Sequence, residues 1–167
     1  MLEIAIDADG EWDSSSGWDE LARAAATAAI AESAFPQLGS SARTVELSIR
    51  LAGDAEVHAL NSEWRARDKP TNVLSFPMTA PEDLAQAAIP GPELMLGDII
   101  LARGVCVAEA QEKSIPLESH AAHLMIHGTL HLLGYDHIDE ASATDMEARE
   151  VRALARMGIA DPYEGER

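Results

Sequence analysis

Residues 127–137 read HGTLHLLGYDH and hold three histidines, spaced i, i+4 and i+10. One helical turn separates His127 from His131, so both imidazoles project from one helix face and can share a metal ion. Gly134 can end that helix in a left-handed turn, which lets the chain double back and present His137 as a third ligand. Three neutral nitrogen donors with a fourth position left open are typical of catalytic zinc sites, because structural zinc sites are closed by protein ligands.

The spacing also matches the H-E-x-x-H-x-x-G-x-x-H pattern of the metzincin peptidases, with one difference. Where the peptidases carry the glutamate that acts as general base, this chain has Gly128. A glycine has no side chain that could take up a proton. The histidines therefore predict a metal site, while Gly128 argues against peptide hydrolysis by that mechanism and leaves the general base unassigned.

Two more histidines precede this pair on a predicted helix that is apolar on nearly all sides, which is typical of a buried helix. At about 100° per residue, one stripe of roughly 80° holds His120, His123, His127 and His131. A lone histidine there is usually a core residue, but four on one stripe, followed by a fifth at a glycine turn, indicate metal binding. Periodicity leaves the ligands open, because His123 and His127 also form an i, i+4 pair. The glycine turn favours His127, His131 and His137, which places His120 and His123 behind the metal or on the substrate side.

A short basic segment is the second feature that could do chemistry. Residues 64–77 read WRARDKPTNVLSFP, and three of the chain's 12 basic residues fall within five positions there: Arg65, Arg67 and Lys69. The formal net charge of the chain is −17, so this segment is the obvious place for an anion to dock. Planar guanidinium groups suit a phosphate. The residues alone leave open a solvated loop with ordinary surface charges.

Four strands and five helices are predicted to position these residues. Alternating apolar residues predict strands at about 2–7, 44–51, 72–76 and 96–101. Helical periodicity predicts helices at about 16–35, 55–64, 105–113, 116–133 and 139–157. Residues 79–95, with three prolines, are predicted to form a loop. Four strands interleaved with five helices in this way indicate an α/β or α+β fold.

Particular faces of two helices are also predicted. In the helix at 55–64, Val57, Leu60 and Trp64 share one apolar stripe. The last helix carries several acids, which are predicted to form a solvated face: Glu140, Asp145, Glu147 and Glu150. Both interpretations rest on periodicity and charge alone.

The composition fits one soluble domain spanning residues 1–167. The acidic balance argues against broad, nonspecific affinity for nucleic acid, although a local basic patch can still contact it. The single cysteine, Cys106, excludes an intrachain disulfide and is predicted to be a core residue in a reducing compartment. No basic leader precedes an apolar run, and no apolar run reaches membrane-spanning length, so we expect a cytoplasmic protein without membrane contact.

Together these motifs resemble those of the YbeY family, bacterial rRNA maturation factors described as zinc-dependent, single-strand-specific endoribonucleases. The resemblance rests on WRARDKPTNVLSFP, LGDIIL and HxxHxxxHGTLHLLGYDH, and it covers about residues 60–163, including the closing ADPY. The glycine after the first histidine of H-G-x-L-H-L-x-G-Y-D-H separates this element from the peptidases. The first forty residues carry no motif.

The resemblance implies that one zinc ion per chain is bound by His127, His131 and His137, and that Arg65 is the functional arginine. Arg67 stands where many members have lysine. The implied fold is α+β, a mixed sheet of about four strands packed with about five helices and the metal site at the end of a central helix. The implied role is cytoplasmic: 16S rRNA 3′-end maturation and ribosome quality control, in contact with the small subunit or associated assembly factors.

The expected reaction is metal-assisted hydrolysis of a phosphodiester in single-stranded rRNA. Zinc would lower the pKa of a bound water toward about 7, and Arg65 would hold the scissile phosphate. Arg67, Lys69 and His123 are predicted to bind substrate. The general base could be the zinc hydroxide, His123 or a substrate hydroxyl. Two alternatives stay open: a zinc peptidase, and a non-catalytic ribosome assembly factor in which zinc stabilises the fold and the basic segment grips rRNA.

Overall fold

A four-stranded mixed sheet organises the computed structural model, which describes residues 1–12, 17–67, 71–87 and 89–164. The strands are β1 (Leu2–Ala8), β2 (Val45–Ala52), β3 (Val73–Pro77) and β4 (Leu94–Ala102). The helices are α1 (Trp18–Ala31), α2 (Asp54–Arg65), α3 (Pro81–Leu84), α4 (Arg103–Lys113), α5 (Leu117–Leu132) and α6 (Glu140–Arg156), and a 3-10 helix spans Pro36–Gly39. The predicted α+β fold with a mixed sheet is confirmed.

The strand order is β1-β2-β4-β3, with β1, β2 and β4 parallel and β3 antiparallel to β4. Parallel neighbours need long crossovers, and the connection from β1 to β2 contains α1. Alternation along β4 divides the core between the two faces of the sheet. Ile99 and Leu101 belong to the large apolar cluster shared with α1 and α5, whereas Ile100 belongs to a smaller cluster with Val57 of α2.

Helix α5 is the central helix, since it contacts β3, β4, α1, α4 and α6. Most of its residues are buried, as the sequence predicts. Gly128 allows a close approach to the sheet, because a Cβ atom at this position would lie 2.8 Å from Cγ2 of Ile99. Two of the predicted metal-site histidines, His127 and His131, are therefore carried by this buried central helix.

Several boundaries differ from the prediction. Helix α1 ends at Ala31 and is followed by the 3-10 helix, and the predicted loop at 79–95 contains α3 and the start of β4. The structure thus has six α-helices among the described residues, one more than predicted. The predicted start of α1, at about residue 16, lies outside the described residues.

The predicted apolar stripe of α2 is wrong at Trp64. Val57 is buried and Leu60 is half-buried in the cluster between α2 and the sheet, but Trp64 is 65% exposed. It lies in the last turn of α2 and is not among the residues packed in that cluster. Periodicity therefore predicted the buried part of the stripe but not the exposure of its last residue.

Two other predictions hold. Cys106 is fully buried in the core. Helix α6 begins beside Asp139, whose side chain accepts the backbone N–H of Ser142 in a capping box. Within the described ranges, no helix combines the length and apolar character that a membrane crossing needs.

Candidate metal centre

Three histidines converge at the C-terminal end of α5, as predicted. His127, His131 and His137 each place one ring nitrogen within 4.8 Å of the other two. The Nε2 atoms of His127 and His131 are 3.0 Å apart. The first two side chains are half-buried and project from the helix, while His137 is exposed on the segment that follows. This group could hold a metal ion.

The turn after α5 brings the third histidine back. Gly134 has φ 94°, in the left-handed region that the sequence predicts. Its N–H donates to the carbonyl of His131 at 3.0 Å, and the N–H of Tyr135 donates to the carbonyl of Leu130 at 3.0 Å. These two bonds form a Schellman motif, the usual way for a helix to end at glycine. The reversal of the chain that places His137 is therefore local in origin.

Hydrogen-bond partners determine which nitrogen of each helical histidine carries the proton. Nδ1 of His131 lies 2.9 Å from the carbonyl oxygen of Tyr135, and Nδ1 of His127 lies 2.6 Å from Oε2 of Glu150. A carbonyl and a carboxylate can only accept, so both Nδ1 atoms donate and both Nε2 atoms keep a lone pair.

The two Nε2 lone pairs face each other across 3.0 Å, an arrangement that a cation between them would stabilise. A tetrahedral zinc ion with bonds of about 2.0–2.1 Å needs nitrogen donors about 3.3 Å apart. Burial lowers the pKa of His131 to about 4, and the neighbouring His127 acts in the same direction. His131 is therefore neutral at pH 7, the form that coordinates metals. The donor set fits zinc.

Glu150 is the site residue that sequence reasoning missed. The prediction that it lies on a solvated face is wrong, because it is only 1% exposed. It accepts hydrogen bonds from His127, from His123 at 2.8 Å and from the hydroxyl of Tyr163. Burial alone would raise the pKa of Glu150, but the bonds from His123 and His127 outweigh it and lower the pKa to about 2.

A periodic signal could have identified Glu150. The buried residues of α6 follow the i, i+4, i+7, i+8 spacing of a core-facing stripe: Met146, Glu150, Ala153 and Leu154. Glu150 is the one acid on this apolar stripe. By contrast, Glu140 and Asp145 are exposed as predicted, and Glu147 is half-buried.

The two upstream histidines lie behind the metal group. His123 is 8% exposed and its Nε2 contacts Glu150. His120 is 2% exposed, and its Nε2 lies 2.8 Å from Glu109, which also accepts from the amide of Asn72. Neither histidine lines the cleft described next, and the substrate contact of His123 stays a prediction.

The three histidines line a cleft of about 640 Å³, which is also lined by part of the basic segment. Arg65 and Arg67 line it, together with residues of β3 and the turn after α5. The guanidinium group of Arg65 donates to the backbone carbonyl of Ser75 and lies 5.5 Å from the ring centroid of Phe76. Lys69 lies outside the described residues. The structure therefore brings two of the three predicted cations to the histidines.

Gly128 also lines the cleft, at the position of the peptidase glutamate. A side chain there would displace Ile99, because its Cβ would stand 2.8 Å from the Cγ2 methyl group of that residue. The close packing of α5 on β4 therefore leaves no room for a glutamate side chain at this position. Among the described residues, Asp136 is the one acid that lines this cleft.

Comparisons with known proteins agree on one family. A family profile described as "Endoribonuclease YbeY" matches residues 12–158. The chain is 52% identical to an "Endoribonuclease YbeY" from Rhizorhabdus wittichii, covering 98% of this chain and 97% of the relative. It is 49% identical to one from Sphingopyxis alaskensis, covering 98% of both. The solution structure of TM1509 from Thermotoga maritima is similar with a TM-score of 0.57 at 22% identity, over 93% of this chain and 92% of that one, a likeness that concerns the fold alone.

Proposed function

The chain belongs to the YbeY family of endoribonucleases, and from that premise we propose that it is a zinc-dependent, single-strand-specific endoribonuclease acting on rRNA. One observation carries the proposal: two arginines and the three-histidine group share one cleft. A phosphate bound by the arginines would lie beside the metal. We further propose that residues 1–167 act as one hydrolase domain, with His127, His131 and His137 as the zinc ligands.

Arg65 is proposed to hold the scissile phosphate. A guanidinium group has five N–H donors in a fixed plane, and one nitrogen of Arg65 is used by the carbonyl of Ser75. The contact with Phe76 holds the plane against β3. The remaining N–H donors can form a bidentate contact with a phosphate and stabilise the charge that builds in the transition state. Arg67 adds a second positive charge to the same cleft, and Lys69 is proposed to extend it.

When bound, zinc would supply an activated water near neutral pH and polarise a phosphoryl oxygen. The chain's own groups must then take up the proton that the attacking water loses. Gly128 cannot do so, and His123 is engaged with Glu150 behind the cleft. We propose Asp136, whose Oδ1 accepts the N–H of His137 at 2.8 Å and whose Oδ2 is left to accept the proton.

The net charge of −17 bears on how RNA reaches this cleft. Such a body repels free RNA, and two cleft arginines offset only part of that repulsion. We propose that the small ribosomal subunit or an associated assembly factor presents the RNA, and that the role is cytoplasmic 16S rRNA 3′-end maturation and ribosome quality control. Faster and more selective cleavage of preribosomal particles than of naked rRNA is the expected result. Equal rates and identical cleavage sites on both substrates would contradict it.

The decisive experiment compares Arg65→Ala with Arg23→Ala, which removes an exposed arginine of α1 outside the cleft. Both variants should bind zinc like the parent protein. We expect Arg65→Ala to cleave single-stranded RNA about 10²–10³-fold more slowly, the usual cost of removing a donor to transition-state charge. Arg23→Ala should cleave at the parent rate. Full activity of Arg65→Ala would refute its role.

The same preparation separates the alternatives. Chelation should abolish cleavage of single-stranded RNA, and added zinc should restore it. Chelator-sensitive cleavage of casein would indicate a peptidase instead. Binding of rRNA without cleavage, with and without zinc, would indicate an assembly factor.

A further inference from the structure

Glu150 connects three parts of the chain beneath the metal-binding histidines. It lies on α6, its two histidine partners lie on α5, and its third partner, Tyr163, lies in the segment that follows α6. The ring of Tyr163 also packs edge-on against His123, with centroids 5.3 Å apart. A single buried carboxylate thus links the end of the described chain to the metal centre.

The two carboxylate oxygens have different partners. Oε2 accepts from Nδ1 of His127 at 2.6 Å, while Oε1 accepts from Nε2 of His123 at 2.8 Å and from the hydroxyl of Tyr163. Three donors arriving from fixed elements leave the carboxylate one orientation. That orientation in turn keeps the proton of His127 on Nδ1 and directs its Nε2 toward His131.

The corresponding partner of His131 is a backbone carbonyl, at Tyr135. A carbonyl orients the ring but carries no net charge. A carboxylate both orients the ring and makes the opposite nitrogen a stronger donor to a metal. Of the two helical ligands, His127 is therefore the one whose basicity is set by a replaceable side chain.

We propose that Glu150 is a positioning residue for metal binding, and that Tyr163 and His123 hold it in place so that the segment after α6 contributes to metal affinity. The proposal rests on the proposed metal site. In this proposal Tyr163 affects metal affinity through Glu150, although it is not itself a metal ligand.

The test uses titration of the purified, metal-stripped protein with Zn²⁺ and with Co²⁺, whose visible absorption reports coordination directly. Glu150→Gln keeps the shape and removes the charge, and we expect affinity to fall about 10- to 100-fold. Glu147→Gln is the matched control, because it removes one charge from the same helix at a half-buried position outside its buried stripe. The control should bind metal like the parent.

Tyr163→Phe keeps the ring on His123 and removes the hydroxyl that donates to Glu150. We expect a smaller loss of metal affinity than in Glu150→Gln, and a melting temperature equal to that of the parent protein. Parent-like affinity in Tyr163→Phe would refute the contribution of the C-terminal segment, even if Glu150→Gln failed to fold.

A third measurement needs no metal. Nitrogen NMR of the metal-free parent protein, above the pH at which its histidines are charged, should place the proton of His127 on Nδ1. A proton on Nε2, or parent-like affinity of a folded Glu150→Gln protein, would overturn the inference. A parent protein that shows this tautomer but binds neither ion would instead refute the proposed metal site, and with it the role of Glu150 in metal binding.

Discussion

Gly128→Ala tests whether close packing, in addition to chemistry, excludes a side chain from the position of the peptidase glutamate. The added Cβ would lie 2.8 Å from Cγ2 of Ile99, whereas carbon atoms pack at about 3.5–4.0 Å. Either α5 or Ile99 must therefore move by about 0.7 Å or more. Overpacking of this kind costs about 1–3 kcal/mol.

A second effect opposes the first. Alanine is favoured over glycine inside a helix by about 1 kcal/mol. The expected net result is a loss of about 1 kcal/mol in the free energy of unfolding, which lowers the melting temperature by about 2–4 °C in a protein of this size. The measurement is urea denaturation of the metal-free protein, because bound zinc would add its own stabilisation.

Two controls isolate these contributions. Ala108→Gly, at an exposed position in the middle of α4, measures the helix contribution alone and should cost about 1 kcal/mol. Ile99→Ala removes the carbon that would collide, so in that background Gly128→Ala should become stabilising by up to about 1 kcal/mol. A stabilising effect of Gly128→Ala in the parent protein, or an equal effect in both backgrounds, would refute the packing argument.

The remaining predictions concern charge and proton transfer. The metal-free protein should lose stability as the pH falls from about 6.5 to about 4, because the pKa of His131 is about 4 when folded and 6.5 when unfolded, so the unfolded chain binds the extra proton. The loss should continue between pH 4.5 and about 2, where Glu150 is protonated only after unfolding. A flat melting temperature from pH 7.5 to 4 would contradict the effect of His131, and a flat one from pH 4.5 to 2 would contradict the effect of Glu150. Arg65→Lys keeps the charge but loses the planar pair of donors, so RNA cleavage should fall with little change in zinc binding, and parent-like kcat would show that charge alone suffices. Asp136→Asn can still accept the N–H of His137 but is a far weaker base, so kcat for RNA cleavage should fall about 10²–10⁴-fold, and unchanged kcat would exclude Asp136 as the proton acceptor.

Acidic composition has a consequence for how such variants are assayed. At a net charge of −17, binding of free RNA depends on a few local cations and is sensitive to salt. Rates for Arg65 variants are therefore comparable only at one ionic strength. Metal affinity, measured without RNA, is independent of this effect and is the cleaner measure of the histidine group.

The sequence by itself determined the parts of this protein that depend on neighbours along the chain. Helical periodicity placed His127 and His131 on one face, and the glycine at 134 predicted the turn that returns His137. Alternation predicted β2, and the Asp139 position marked the start of α6. Each of these features is decided by side chains and backbone angles within a few residues.

Tertiary structure decided what lies opposite these residues. Glu150 appeared to be one acid among several on a charged helix, and only the docking of α6 against α5 buries it beneath His127. Trp64 lies on the predicted apolar stripe of α2, yet it is exposed and does not join the cluster that holds Val57. Arg65 shares a cleft with histidines more than sixty positions away because β3 packs beside α5. Contacts between distant segments depend on the packing of whole elements, which no local pattern encodes.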